Sequence, residues 1–559
     1  LRFFNFFACI CLIFSTSVFS FADVKLPSST DPGRIEKQLQ PTPKPKSEPR
    51  LSLPVPAKQI PPEKADEIQF ELSGITLQGN TVYSAAELLG YWQDLLGKKV
   101  TLTQVYAVAD AITAHYRNAG YILTQAIIPP QQINNGMVLI KVIEGHAKDV
   151  LIEGDVKGRQ GLFNAWVKKI KASKPLNNAV LERYTLIAGD VNGLTVKSII
   201  RPSRTTSGAS DVVLVIEHKP LDADITYDNR GTRAMGPRQV MANLGANSLF
   251  DLLEQTDLTV LMTDDFEELR YYALQHSQLL NSEGLTLNLS GNISYSDLGD
   301  YLDDYDVEGR NKSFNVELAY PLIRSRNKNL SCKTSLTVRH SRTDTMDELQ
   351  SEDRLSIVKV GIDYDYTDRW QGVNMVNLMY YGGLDMFGSR ETGSDHLTRA
   401  DGHSQFAKVT LDLYRRQILP ANFSLLIAGT AQWADVSLLS SEEFGYGGTQ
   451  YGRAYDSSSI TGDRGLAGKL ELQYIRSFGT DPWNYYQLYA FYDVGRTFSN
   501  SPLKDENTTG QSVGGGVRFA WSHYLSGSVE VAQPLTAHIS ELNRRDDSPR
   551  VFFNVTAKY

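Results

Sequence analysis

From Pro220 onward apolar and polar residues alternate along the chain in segments of about ten, separated by turns rich in Gly, Asn, Asp and Ser. Leu285, Leu287, Leu289 and Ile293 oppose Thr286, Asn288, Ser290 and Asn292; Val358, Val360, Ile362 and Tyr364 oppose Lys359, Asp363 and Asp365. Val513, Val517 and Phe519 stand against Ser512 and Arg518, and Leu525, Val529 and Val531 against Ser526, Ser528 and Glu530. A period of two sends neighbouring side chains to opposite faces of a strand, so each segment predicts a strand with one apolar and one polar face. About sixteen such segments fit into the remaining 340 or so residues, a spacing that suits an antiparallel membrane barrel with a lipid-facing wall and a wet lumen.

Between Gln69 and Pro220 the period changes. A strand with Phe70, Leu72, Ile75 and Leu77 leads to a helix from Ser84 to Gly97, with Ser84 and Glu87 as a capping box. A second helix from Thr101 carries the stripe Leu102, Val105, Val108, Ala109 and Ile112 and ends at Gly120; strands at Tyr121 to Pro129 and Met137 to Glu144 follow. The same β-α-α-β-β order returns with a strand at Val150 to Glu153, helices at Gln160 to Ala172 and Asn177 to Val191, and strands at Leu194 to Pro202 and Val212 to Glu217. A repeat of about 75 residues with one topology predicts two tandem copies of a small α+β domain, 68–146 and 147–219, ahead of a barrel at 220–559.

The amino-terminal part reads differently again. Residues 1–22, with Arg2, an apolar run and the ending Ser20-Phe21-Ala22, predict a secretory signal peptide. Its removal would leave Cys332 as the one thiol of the three cysteines, a composition compatible with an oxidising compartment. In segment 23–40, Asp31 and Pro32 suit the cap and first position of a short helix; 41–67 is a Pro-rich linker of extended character.

Composition narrows the choice of function. The chain has 559 residues, a net charge of -8 and 10% aromatic residues, with no dense basic patch, so no nucleic-acid role is expected. A mean hydropathy of -0.29 leaves no room for a helical membrane protein. No H-E-x-x-H and no G-x-S-x-G occurs, and Gly462 to Lys469 has the wrong spacing for a phosphate loop, with Leu470 after the lysine. The nine histidines lack ligand spacing. No enzyme activity, metal or cofactor is expected.

Two stretches carry a specific resemblance. One is Phe444 to Leu472, a Gly-rich segment with Arg453-Ala454-Tyr455; the other is Phe491-Tyr492-Asp493-Val494-Gly495. They resemble the sixth extracellular loop and the F-x-D-x-G strand of the outer-membrane transporters of two-partner secretion, relatives of the Omp85 superfamily. Those transporters usually read R-G-Y in the loop, and Ala454 replaces the glycine. Asp228-Asn229-Arg230-Gly231 and Ala532-Gln533-Pro534-Leu535 are similar to the same family, as is the aromatic end at Tyr559. Tyr116, Gly120 and Tyr121, then Pro129 and Gly145, resemble its polypeptide-transport-associated (POTRA) domains. Packing and turn geometry are the direct roles expected of Tyr116, Gly120 and Gly145.

The resemblance implies a loop at about 435–464 that folds into the barrel, with Arg453, Tyr455, Phe491, Asp493 and Gly495 as its anchor. It also implies that an amino-terminal helix plugs the lumen. The implied function is export of a large, unfolded partner protein of the adhesin or haemolysin type, from POTRA domains in the periplasm through the barrel to the cell surface. Outer-membrane lipid and the barrel-assembly machinery, engaged through the Tyr559 strand, would be further partners. A barrel-assembly factor of the same superfamily is the alternative; two POTRA copies and a Pro-rich tether favour secretion.

Overall fold

The computed structural model describes residues 26–39, 44–47, 63–154, 160–203, 209–479, 484–502, 507–536 and 548–559. The signal-peptide expectation for 1–22 falls outside them.

Sixteen antiparallel strands close into one barrel, from Leu221–Asp228 to Arg550–Lys558, with the last strand paired to the first from Asn554↔Asp228 to Lys558↔Asp224. Closure pairs the backbone groups of every strand within the wall, which an open sheet in lipid cannot do. Side chains follow the alternation: Leu466, Leu470 and Leu472 are exposed on the outer wall, whereas Glu471 between them is buried toward the lumen. Among the described residues no helix is long and apolar enough to cross a membrane. The neighbour relation of the strands is broken once, where Phe423–Ala434 pairs with Arg464–Ser477 and the chain between them leaves the wall.

The first α+β unit departs from the sequence expectation in three places. The strand from Gln69 splits into Gln69–Glu71, paired with Lys99–Thr101, and Gly74–Gln78, paired with Met137–Ile143. The break lies at Leu72 and Ser73, because Leu72 turns into the core and its N–H bonds Lys98 O at 3.0 Å. The helix from Ser84 to Gly97 is a four-residue helix, Ala85–Leu88, followed by 3₁₀ turns at Leu89–Tyr91 and Gln93–Leu95. Ser84 and Glu87 do form the capping box, but Gly90 weakens the helix and Trp92 leaves helical geometry at φ −137° as it enters the core. The strand at Tyr121 to Pro129 shrinks to Gln125–Ile127, because a turn from Tyr121 O to Thr124 N precedes it and Pro129-Pro130 lack ladder donors. The long helix Leu102–Asn118 packs Val105, Val108, Ala109, Ile112 and Tyr116 into the core.

The second unit has helices Gln160–Ala172 and Asn178–Gly189 over a three-stranded sheet of His146–Gly154, Ala209–His218 and Leu194–Pro202, in that order. It docks on the turns at one end of the barrel. Phe163, Trp166 and Ile187 share an apolar cluster with Leu253 and Leu279, and the Trp166 indole donates to Ser282 O at 2.9 Å. Arg324 grips Asp190 bidentately at 2.8 Å, a geometry that sets direction as well as distance.

Residues 28–39 lie inside the barrel. Asp31 caps a 3₁₀ turn at Pro32–Arg34 by accepting from Gly33 N at 2.7 Å, and the chain continues as the helix Ile35–Leu39. Ile35 is buried against Leu261, Leu269, Tyr271 and Leu298 on the inner wall. In the separately described residues 44–47, Ser47 N donates to Asp365 on the strand Glu348–Thr367.

Candidate functional site: a loop seated in the lumen

The segment that leaves the wall after Ala434 turns into the barrel as a short hairpin, Phe444–Tyr446 against Ile460–Gly462. Its entry depends on missing side chains. A Cβ at Gly495 or Gly510 would come within 2.4 Å of the Tyr446 ring, and one at Gly465 within 2.1 Å of Phe444. These three wall glycines thus form the slot in which the hairpin's aromatic rings lie. Beyond Tyr446 the chain reverses through Gly452 at φ +76°, a conformation that favours glycine. The left-handed residue is therefore one place before Arg453. Ala454 has no positive φ and its methyl is buried, so alanine in place of the family's glycine brings no backbone strain.

The turn delivers Arg453 to Asp493. Nε donates to Oδ2 at 3.0 Å and Nη2 to Oδ1 at 2.9 Å, and the backbone N–H groups of Gly452 and Arg453 reach Oδ2 at 3.2 and 3.1 Å. Phe491, two residues earlier on the same wall face, puts its ring 3.5 Å from the guanidinium carbon. Asp493 is fully buried, which makes an ion partner a requirement for its charge. Tyr455 places its hydroxyl 2.8 Å from Gln511 O and 2.7 Å from Thr536 O, tying the loop to the strand Thr508–Ala520 and to the turn just after Leu525–Pro534.

The remaining Arg453 donor, Nη1, reaches Glu471 Oε2 at 2.5 Å and lies 3.7 Å from Glu530. Glu471 also binds Arg518 at 2.7 Å; Glu530 binds Arg230 at 2.5 Å and accepts from the Tyr489 hydroxyl at 2.7 Å. Arg230 Nη1 in turn donates to Arg453 O at 3.2 Å. Arginines 230, 453 and 518 alternate with carboxylates 471, 493 and 530, so these six charges balance one another. Sequence reading missed four members of this cluster. Glu471, Glu530 and Arg518 were visible only as charges on polar strand faces, and Arg230 only as part of D-N-R-G.

A second cluster, also unforeseen, joins the loop to the amino-terminal segment. Glu442, fully buried, accepts from Arg339 at 2.8 Å and Lys408 at 2.5 Å. Glu36 meets Arg339 at 3.3 Å. Arg34 donates to Ser440 O at 2.5 Å and Glu443 O at 3.3 Å, and Lys37 to Ser441 O at 2.5 Å. Gly33 leaves space that a Cβ would not find: it would stand 2.7 Å from Ser341 Oγ.

The α+β residues singled out from the sequence gather far from the loop. Tyr116 is buried, with edge-on rings of Tyr83 and Tyr121, and its hydroxyl donates to Glu144 at 2.9 Å. Burial alone would raise the Glu144 carboxyl, but donors from Thr81, Val82 and Tyr116 outweigh it and hold the group below its usual range. Gly120, at φ +95°, and Gly145, whose Cβ would meet Leu123 at 2.6 Å, also serve the junction between the two units. Gly120 O accepts from Asn178 N at 2.8 Å and Gly145 O from Leu176 N at 2.9 Å. Pro129 sits beyond the shortened strand, its carbonyl 3.3 Å from Gln131 Nε2.

Comparison with known proteins places this geometry. The family described as haemolysin secretion/activation protein ShlB/FhaC/HecB matches residues 208–517, more than half of the chain, and the ShlB-type POTRA domain matches residues 70–145. The heme/hemopexin transporter protein HuxB of Haemophilus influenzae (strain 86-028NP) is 23% identical over 525 residues, covering 91% of each chain. The outer membrane transporter CdiB of Escherichia coli O6:K15:H31 (strain 536 / UPEC) is 24% identical over 71% of this chain and 67% of its own. Among solved structures, CdiB from Escherichia coli superposes with a TM-score of 0.73 at 21% identity, covering 91% of this chain and 94% of that one. BamA from Haemophilus ducreyi lacking POTRA domains 1–3 shares the fold at a TM-score of 0.51 and 11% identity, covering 88% of this chain and 100% of that one. The chain is an outer-membrane protein transporter of two-partner secretion with POTRA domains in the periplasm, and it belongs to the ShlB/FhaC/HecB haemolysin secretion/activation family.

Proposed function

We propose that the transporter takes an unfolded adhesin- or haemolysin-type protein by strand addition to its POTRA sheets. The client then threads through the lumen once the amino-terminal segment withdraws, and folds outside. The observation that carries this reading is the seating of the loop inside the barrel through Arg453 and Asp493. A loop so held gives the lumen a fixed inner surface along which an extended chain can pass. Two sheet edges support the docking step: Gly74–Gln78 and Leu194–Pro202 are each paired on one side alone within their described sheets. An edge of that kind offers main-chain donors and acceptors to an extended peptide.

In this reading residues 23–40 are the plug, 41–67 its tether, 68–146 and 147–219 the two POTRA units, and 220–559 the barrel. Tyr116, Gly120, Tyr121, Pro129 and Gly145 keep the first unit folded and aligned with the second. Export proceeds without a catalytic step or cofactor, drawing on folding of the client outside. The apolar outer wall meets membrane lipid, and the strand ending at Tyr559 is the one presented to the barrel-assembly machinery. Deleting Gln69 to Gly145 tests the docking role: a heat-modifiable barrel is expected to remain while surface appearance of the client is lost. Export at the normal level would sink it.

A further inference from the structure

The outer wall of the barrel carries an open groove of about 510 Å³. Its floor is Gly291, which the strand register places between Leu274 and Phe314 on the lipid-facing side. The absent side chain opens a trough whose sides are Tyr272, Leu274, Ile293, Phe314 and Val338.

Charge lines one end. The next row outward runs from Ile293 to Lys312, His340 and Arg354, and the row beyond it joins Arg270, Tyr295, Arg310 and Arg342. Carboxylates on this face answer some of these cations: Glu308 holds Arg310 at 2.8 Å, Asp344 holds Arg342 at 2.6 Å, and Glu352 holds His340 at 2.7 Å and Arg354 at 2.9 Å. Asp297 stands opposite Glu308 one row further out. Lys312 and Arg270 have no carboxylate at ion-pair distance among the described residues, and Arg270 lies only over the Tyr295 ring at 5.9 Å.

The depth of the groove decides what can fill it. On the strand Val307–Arg324, the outward residues from Leu322 to Phe314 are apolar. Eight residues extend about 27 Å along a strand, and less across the membrane once it tilts, so they account for most of an apolar band about 25 Å tall. The hairpin at Ser325 touches the POTRA side, since Arg326 N donates to Glu182 at 2.6 Å. Lys312 is therefore at the outer-leaflet boundary, with the trough just below it.

We propose that this groove binds one molecule of the phosphorylated, acylated saccharide lipid of the outer leaflet. One acyl chain would lie over Gly291, and a phosphate would sit between Lys312 and Arg270. Both chemistries are needed: a trough without cations would take any lipid, and cations without a trough would take any anion.

The test uses the full-length chain in detergent, titrated with bisphosphorylated lipid A and read by native mass spectrometry. One bound lipid A per barrel is expected. The double change Lys312→Glu and Arg270→Glu should weaken binding by about tenfold or more. Gly291→Leu, which fills the trough without altering charge, should weaken it by about fivefold. A Cβ at Gly291 meets nothing closer than Phe314 Cδ2 at 3.7 Å, so this variant keeps a heat-modifiable barrel. Affinity unchanged in either variant would overturn the assignment. So would equal binding of phosphatidylglycerol, or full displacement by inorganic phosphate. The readout needs no client, so failure here leaves the export reading standing.

Discussion

Two clusters of buried charge in the lumen, one around Arg453 and one around Glu442, keep their own segments in place by different means. The Arg453 loop is joined to the wall at both ends, and its arginine is bound by Asp493 through side chain and backbone, with Phe491 beneath. Without Arg453, the carboxylate of Asp493, fully buried in the intact chain, would retain only backbone donors and a Ser512 hydroxyl at 3.5 Å. The amino-terminal segment is held through backbone carbonyls, with Arg34 and Lys37 as donors, through Glu36 on Arg339, and through a looser buried pair of Arg34 with Glu443 at 3.8 Å. Without it, Arg339 and Lys408 keep Glu442, Arg399 keeps Glu443 at 2.9 Å, and the freed carbonyls of Ser440 and Ser441 can take water. Removing one partner of a buried ion pair is far more costly than removing a group whose partners can be re-satisfied. This contrast supports the proposal that the loop stays in place while the segment withdraws.

The largest effect is expected where that contrast is steepest. Arg453→Ala leaves Asp493 unpaired at a local cost of about 3–5 kcal/mol, and export should fall by about tenfold or more while the barrel stays heat-modifiable. Arg453→Lys should rescue poorly, because the fork that matches the carboxylate is lost. Asp493→Ala should match Arg453→Ala, and the double variant should be no worse than either. Surface display of the client is the measurement, and additive defects would break the comparison.

Changing the segment should do less, and something different. Arg34→Ala with Glu36→Ala removes contacts that together contribute about 1–3 kcal/mol. Single-channel conductance should rise while export continues. Unchanged conductance would show the segment to be as firmly fixed as the loop.

A smaller effect should fall in the first POTRA unit, outside the barrel. Tyr116→Phe deletes the hydroxyl on Glu144, and with three other donors remaining the cost should be about 1 kcal/mol in denaturant unfolding. The Glu144 carboxyl is depressed in the folded unit, so its contribution is present above the unfolded value, about 4.3, and is lost as pH falls through the folded one. Unfolding scans between pH 7 and pH 3 should show this fall, and Glu144→Gln should flatten it. The smallest change should come from Ala454→Gly. Losing one buried methyl and adding backbone freedom should cost about 1 kcal/mol, with export unaltered. A large gain in export would mean that alanine strains the turn after all.

Much of the architecture could be read in one dimension because it rests on local periods. Sixteen strands follow from alternation, since lipid outside and water inside impose one rule on every strand. The two α+β units follow from the repeat of period changes, with shortened elements where Gly90 and Pro129-Pro130 intervene. The contact of Arg453 with Asp493 was expected from the likeness of two motifs, whereas Glu471, Arg518, Glu530 and Arg230 were not tied to it.

By itself the sequence determined the periodicity, the order of units and the residue types on each strand face, because each depends on neighbours a few positions apart. Only the tertiary structure decided which lumen charges meet. Arg230 and Glu530 are 300 positions apart along the chain and come together because the last strands close against the first. The same closure brings both Glu442 and Glu36 to Arg339, and turns Gly465, Gly495 and Gly510 from weak strand residues into a slot for aromatic rings. Barrel closure, a global constraint on register, supplies that information, and no local pattern contains it.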